Sequence, residues 1–245
     1  MKKIEVNSII KQIIPLKIIG IGTTAICFKI RQNDVLKLYL NTPLKNNLFK
    51  CYNMVEHLSK INEIGNNTFI VPDRLITKNN KLIAYTYPYV SGKSLKHIDG
   101  NTKMRDYIKN YHILYFDTKK ISDKKFRLHD MHAKNIVFDK EYKIIDLDKG
   151  YFDEKNDIDT IFLRNMKDIN RAILNSIYDL NIDDNLIFQN EELAEKYLEM
   201  IVNDPTKFYE FMLCLCNNNL DKTKNDIKRD TNIKIYSKKQ YYKRF

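Results

Sequence analysis

The feature that most restricts the fold is a change of hydrophobic rhythm along the chain. Apolar residues from 13 to 40 fall in three short runs, 13–20, 26–30 and 35–40, parted by turn-rich segments at 21–25 and 31–34. Short apolar runs bounded by turn residues predict strands, so an antiparallel β structure is expected here. From Leu44 to about Ile64 the spacing lengthens: Leu48, Cys51, Tyr52, Val55, Leu58 and Ile61 recur at threes and fours, which predicts one amphipathic helix. Two more strands are expected at 69–77 and 81–90, joined by a turn at Lys78-Asn79-Asn80, before Ser91-Gly92 breaks the pattern. Beyond that point helices are predicted over about 102–120, 157–180, 190–203 and 205–219, interrupted by a strand pair at 135–139 and 142–147. The expectation is an α+β chain of two parts. Residues 1–90 form a small antiparallel sheet with one helix, and residues 91–245 form a mostly helical unit with one hairpin.

Composition removes several function classes. A chain of 245 residues with 43% hydrophobic, 11% aromatic and 30% charged residues can bury a core and has no signature of disorder. No apolar run approaches the roughly 20 residues a bilayer requires, and the first 20 residues contain no small-residue cleavage site, so a cytoplasmic protein without a membrane partner is expected. Cys27, Cys51, Cys214 and Cys216 are scattered; Cys214-x-Cys216 has no second pair, and buried free thiols are expected rather than a zinc site. The net charge of +11 suits phosphates, nucleic acid or an acidic partner without choosing among them. In the final stretch, residues 226–245, Lys and Arg alternate with Tyr and Phe. Such a segment could stack on bases, but a solvated or packed tail is expected, and nucleic acid is not the expected partner.

Four clusters carry chemistry. Gly20-Ile21-Gly22-Thr23-Thr24-Ala25 sits between two strands, where glycines allow the backbone close to phosphates; a plain hairpin is the alternative. Lys37, between Leu36 and Leu38 on the next strand, points opposite to its neighbours, either into a cleft or into solvent. Asp130 and Asn135 lie five apart in one loop. A carboxylate there can accept or orient a hydroxyl while the amide oxygen reaches a metal. Asp146 and Asp148 close an apolar strand; magnesium takes oxygen ligands and needs only one or two protein carboxylates beside phosphates, so Asp146 with Asn135 is a sensible pair. Asp148 is either a helper or a solvated neighbour.

In this order the clusters resemble the protein-kinase-like superfamily over about Ile18 to Leu180. Gly20, Gly22 and Ala25 stand where G-x-G-x-x-G has its glycines, with Cys27 in place of the valine that follows, and Val35-Leu36-Lys37 resembles V-A-I-K. Arg127 to Phe138 resembles the H-R-D-x-x-x-x-N loop and its strand, and Asp146 the aspartate of D-F-G. The resemblance implies a bilobal kinase-like fold that uses ATP and Mg2+. Lys37, Asp130 and Asn135 would be catalytic. Gly20, Gly22, Ala25, Val35, Lys37, Glu56, Tyr87 and Tyr89 would contact the nucleotide, and Asn135 with Asp146 would hold the metal. Glu56 would pair with Lys37 from the crossing helix, with Glu63 as fallback, and backbone groups near Tyr87 and Tyr89 would bind the adenine edge. Asp168 resembles the buried aspartate under the catalytic loop, an exposed helix carboxylate being the alternative.

Two departures narrow the reading. Leu128-His129 replaces the usual His-Arg, and Asp130-Met131-His132-Ala133-Lys134-Asn135 looks like the D-x-H-x-x-N of aminoglycoside and choline kinase relatives. Only 22 residues separate Asp146 from Asp168, with no A-P-E between them. The implied activity is transfer of the γ-phosphate of ATP to a hydroxyl acceptor, a small molecule being favoured over a protein. His132 is left open between a positioning and a structural role. A pseudokinase, acting as a nucleotide-responsive regulatory module, is the alternative.

Overall fold

Short apolar runs become strands where the backbone can pair, and in the computed structural model the five expected ones are joined in one sheet by a strand that the apolar pattern does not show, the largely polar Lys2–Glu5. Residues 2–5, 17–22, 24–30, 33–40, 54–79, 81–180 and 184–237 are described. Thr23 of the glycine turn, the expected helix positions before Met54 including Leu48, Cys51 and Tyr52, Asn80, and residues 238–245 of the basic tail lie outside them. The strands are β1 (Lys2–Glu5), β2 (Lys17–Ile21), β3 (Ala25–Lys29), β4 (Asp34–Tyr39), β5 (Arg74–Lys78) and β6 (Lys81–Pro88), in the order β1-β5-β6-β4-β3-β2. β1 runs parallel to β5, and the other five pair antiparallel. The expected strand at 69–77 begins only at Arg74, since Pro72 has no N–H to give a ladder. Phe69 instead bridges Ile144, with Ile144 N donating to Thr68 O at 2.7 Å.

Alternation along β4 separates two chemistries. Leu36, with partly buried Leu38, joins Phe28, Ile30, Ile76, Ile83 and Ala84 in a small apolar cluster on one face. Val35, Lys37 and Tyr39 take the other face, beside Cys27, Tyr85 and Tyr87 of the adjoining strands. Between β4 and β5 lies α1 (Met54–Asn62), which buries His57, Leu58 and Ile61.

After Gly92 the elements are β7 (Lys93–Ser94), α2 (Met104–Ile108), α3 (Tyr111–Asp123), β8 (Phe126–Arg127), β9 (Ile136–Asp139), β10 (Glu141–Ile144), β11 (Tyr151–Phe152), α4 (Ile158–Ile177), β12 (Asp184–Phe188), α5 (Glu191–Leu198), α6 (Phe208–Leu215), α7 (Lys224–Asp230) and β13 (Ile233–Ser237). β7, β9 and β10 form a small sheet. Gly92, at φ 110°, makes that contact available, because a Cβ there would fall 2.7 Å from Phe138 O. The single expected helix at 102–120 is two, with Asn110 at the break donating to Lys140 O at 2.6 Å. The helical part also carries more strand than the one hairpin expected. β8 pairs with β11, and β12 with β13, whose residues belong to the basic tail. Cys216 is a buried free thiol, whereas Cys27 and Cys214 are half-buried.

α4 organises the helical part. Asp157 caps it by accepting from Thr160 N at 2.7 Å, and Ile161, Met166, Ile169 and Ile173 line its buried face. Met166, Ile169 and Ile173 share one apolar core with Leu58 of α1 and with Leu75 and Tyr85 of the six-stranded sheet. Among the described residues no helix is long and apolar enough to cross a membrane.

Candidate functional site

The site is assembled where β4, the 130–135 loop and the end of β10 meet. Lys37 is only 6% exposed and donates to Asp148 Oδ2 at 2.9 Å, with a second, shorter ion pair to Asp146. Strand alternation already turns Lys37 this way; Tyr39, two residues on, follows it and donates to Asp148 Oδ2 at 2.5 Å. Glu56 does not join them. It stands on the solvent side of α1 and pairs with Lys60 at 3.2 Å, correcting the expected contact with Lys37. Its neighbour His57 is buried instead, and donates from Nε2 to Asp148 O at 3.2 Å. Glu63 lies just past the last residue of α1.

The loop before β9 carries the second half. Asp130 adopts φ 58° and Asp146 φ 66°, left-handed conformations that cost a non-glycine residue about 1–2 kcal/mol each. Asn135 Nδ2 donates to Asp130 O at 3.0 Å, and Asn135 O accepts from Ile145 N at 2.9 Å. These two bonds set Asp130, Asn135 and Asp146 side by side. Lys149 forms an ion pair with Asp130, and His132 Nε2 lies 3.8 Å from the same carboxylate. Below the loop, Asp168 accepts from Arg127 at 2.6 Å. The more buried support is Asn165, which accepts from Leu128 N at 2.8 Å and donates to Phe126 O at 2.9 Å.

The glycine turn borders this centre. Gly20 pairs with Cys27 across β2 and β3, and Gly22 N donates to Ala25 O at 2.9 Å, closing the turn. Ala25 and Val35 are buried. Tyr87 lies opposite Val35 and its hydroxyl donates to Cys27 Sγ at 3.6 Å. Tyr89 is the outlying member: Lys29 Nζ sits 3.8 Å above its ring, and its backbone N–H donates to Asn33 O at 2.7 Å.

Burial would lower the Lys37 pKa, but Asp148 and Asp146 together carry it above the ordinary lysine range. Asp148 would be raised by burial and is instead lowered, chiefly by Lys37 and then by Tyr39. Asp146 is raised by burial and by the like charge of Asp148. His57 and His132 are both lowered, in each case first by burial. Two carboxylates against one ammonium leave this centre net negative, a balance a divalent cation would correct. The available donors are the carboxylates of Asp146 and Asp148 and the Oδ1 of Asn135, whose amide nitrogen is already engaged. Such hard oxygen ligands suit magnesium. Among the described residues no three His, Cys, Asp or Glu side chains converge as a metal centre, so a cation here would need oxygens from a bound substrate or water.

Sequence reasoning reached Lys37, Asp130, Asn135 and Asp146 but missed Tyr39, His57, Lys149 and Asn165. Tyr39 had a signal, since it shares Lys37's face by strand alternation. Asn165 had a fainter one, three residues before Asp168 on the same side of α4. No protein-family model matches the chain, and no curated protein matches its sequence.

Proposed function

We propose that this protein is an ATP- and magnesium-dependent phosphotransferase of bilobal, protein-kinase-like build, moving the γ-phosphate of ATP to a hydroxyl of a small molecule. The observation that carries the reading is the meeting of Lys37 with Asp146, 109 residues later in the chain, beside Asn135 and Asp130. Phosphoryl transfer asks a protein for little covalent chemistry; it asks for a cation at the phosphates, ligands for a metal, and a carboxylate at the attacking hydroxyl. In this reading Lys37 and the turn from Gly20 to Ala25 hold phosphates, and Asn135 with Asp146 holds magnesium. Bound magnesium would supply charge neutralisation at phosphate oxygens. Asp130 orients the acceptor hydroxyl and takes its proton, and Lys149 steadies that carboxylate.

Calorimetric titration with ATP and magnesium, followed by labelled-ATP turnover with a panel of small polyhydroxy and amino-alcohol acceptors, tests the proposal. Magnesium-dependent binding is expected for wild type and not for Asp146→Ala. Asp130→Asn is expected to bind Mg·ATP within a few-fold of wild type and to lose turnover by about 10²–10⁴-fold. Wild-type protein that ignores the nucleotide overturns the reading. Binding without turnover on any acceptor, hydroxyl-bearing peptides included, turns it toward the regulatory module.

A further inference from the structure

We infer that Asp148, and not a glutamate of α1, is the fixed partner that positions Lys37 for its phosphates, so that the segment 146–150 rather than α1 controls assembly of the site. The inference rests on the phosphotransferase reading and concerns how that same site is set. Three observations carry it. Glu56 is turned outward and bonded to Lys60, with both side chains largely exposed. Asp148 is 5% exposed, and its Oδ2 accepts from both Lys37 and Tyr39. Its backbone oxygen accepts from His57, the α1 residue that does face inward. The helix therefore touches the site through a neutral hydrogen bond to the backbone of 148 and contributes no charge to Lys37.

Lys37 contacts two carboxylates, and they divide the work. Asp146 must turn its oxygens to a metal for the proposed chemistry, and its pairing with Lys37 is the exchangeable one. Asp148 is held from three sides and stays. Its Oδ1 is buried with no hydrogen-bond partner among the described residues, a desolvation cost that the adjacent Lys37 ammonium offsets. The same short segment carries Lys149, the partner of Asp130. One turn thus sets the lysine, the metal carboxylate and the acceptor-side carboxylate together. A displacement of α1 removes the His57 bond to the backbone of 148 and leaves the side-chain bonds of Asp148 to Lys37 and Tyr39; a displacement of 146–150 dismantles all three.

The test compares dissociation constants for Mg·ATP and for adenosine, which carries no phosphate, in wild type, Asp148→Asn, Tyr39→Phe and Glu56→Ala. Asp148→Asn keeps size and shape, so it is expected to weaken Mg·ATP about tenfold or more while adenosine stays within about twofold. Glu56→Ala is expected to leave both ligands within about twofold. Tyr39→Phe removes one bond to Asp148 without leaving a buried charge unpaired; it is expected to weaken Mg·ATP alone, and it serves where Asp148→Asn fails to fold. Unchanged Mg·ATP affinity in Asp148→Asn, or equal losses in Glu56→Ala and Asp148→Asn, overturns the inference while the phosphotransferase reading survives. Parallel loss of adenosine and Mg·ATP in Asp148→Asn reduces Asp148 to a structural role and overturns it too. Wild type that binds no Mg·ATP overturns both.

Discussion

Asp130 and Lys149 meet from different strand ends, 19 residues apart, each about two-thirds or more buried. An ammonium there fixes the carboxylate's orientation, on the proposed reading toward an incoming hydroxyl. Lys149→Ala is accordingly expected to lower kcat about 10–100-fold with little change in the KM for ATP, and Lys149→Arg to restore part of it, read by steady-state turnover. Asn165 shows a different dependence. It is fully buried and engages Leu128 N, Phe126 O, Ser122 Oγ and Arg127 at once. Asn165→Ala leaves several of those groups without partners and is expected to lower stability by about 2–4 kcal/mol, measured by urea unfolding. Spacing within one loop is local, which is why Asp130 and Asn135 were readable as a pair; Lys37 and Asp146, 109 residues apart, joined them only through the resemblance of the clusters taken in order. The bond from Lys149 to Asp130 depends on how two loops fold back on each other, and no local pattern encodes it.

The phase of a helix decides which of two neighbours enters a site. Successive residues on α1 differ by about 100°, so Glu56 and His57 point to different surroundings. The sequence announces an amphipathic helix, but its phase follows from burying Leu58 and Ile61, which carries His57 inward and Glu56 out. The family resemblance favoured the glutamate; apolar packing turned the histidine inward instead. A pH dependence follows. The pKa values of His57 and His132 are depressed by burial, so the folded protein holds fewer protons than the unfolded chain once pH falls below about 6.5. Their contribution to stability is complete above that value and is lost as pH drops through it. Asp146, raised, acts in the opposite sense at lower pH. Urea midpoints between about pH 7.5 and 5.5 should therefore fall, and His57→Gln should flatten the slope. Strand alternation was more legible than helix phase, because its period of two leaves only two choices and one face of β4 is plainly apolar.

At the scale of the whole molecule, the six-stranded sheet and the helices share one core, so a single cooperative unfolding transition is expected by both circular dichroism and tyrosine fluorescence. Phe188 tests the far end of that core. It is 4% exposed and packs edge-on against Phe211 at 5.6 Å and tilted against Tyr197 at 5.3 Å. Phe188→Ala is expected to cost about 3–5 kcal/mol. The α+β division was visible in the change of apolar rhythm near residue 91. The pairing of β12 with β13 was not, because the tail's many lysines mask the alternation at Ile233 and Ile235, and strand partners 45 or more residues apart leave no mark on either segment alone. That separation also sets a clock during synthesis. A ribosome adding about 5–20 residues per second delivers β13 several seconds after β12, and until then Leu186 and Phe188 emerge beside an open strand edge, a nascent surface for a chaperone to cover.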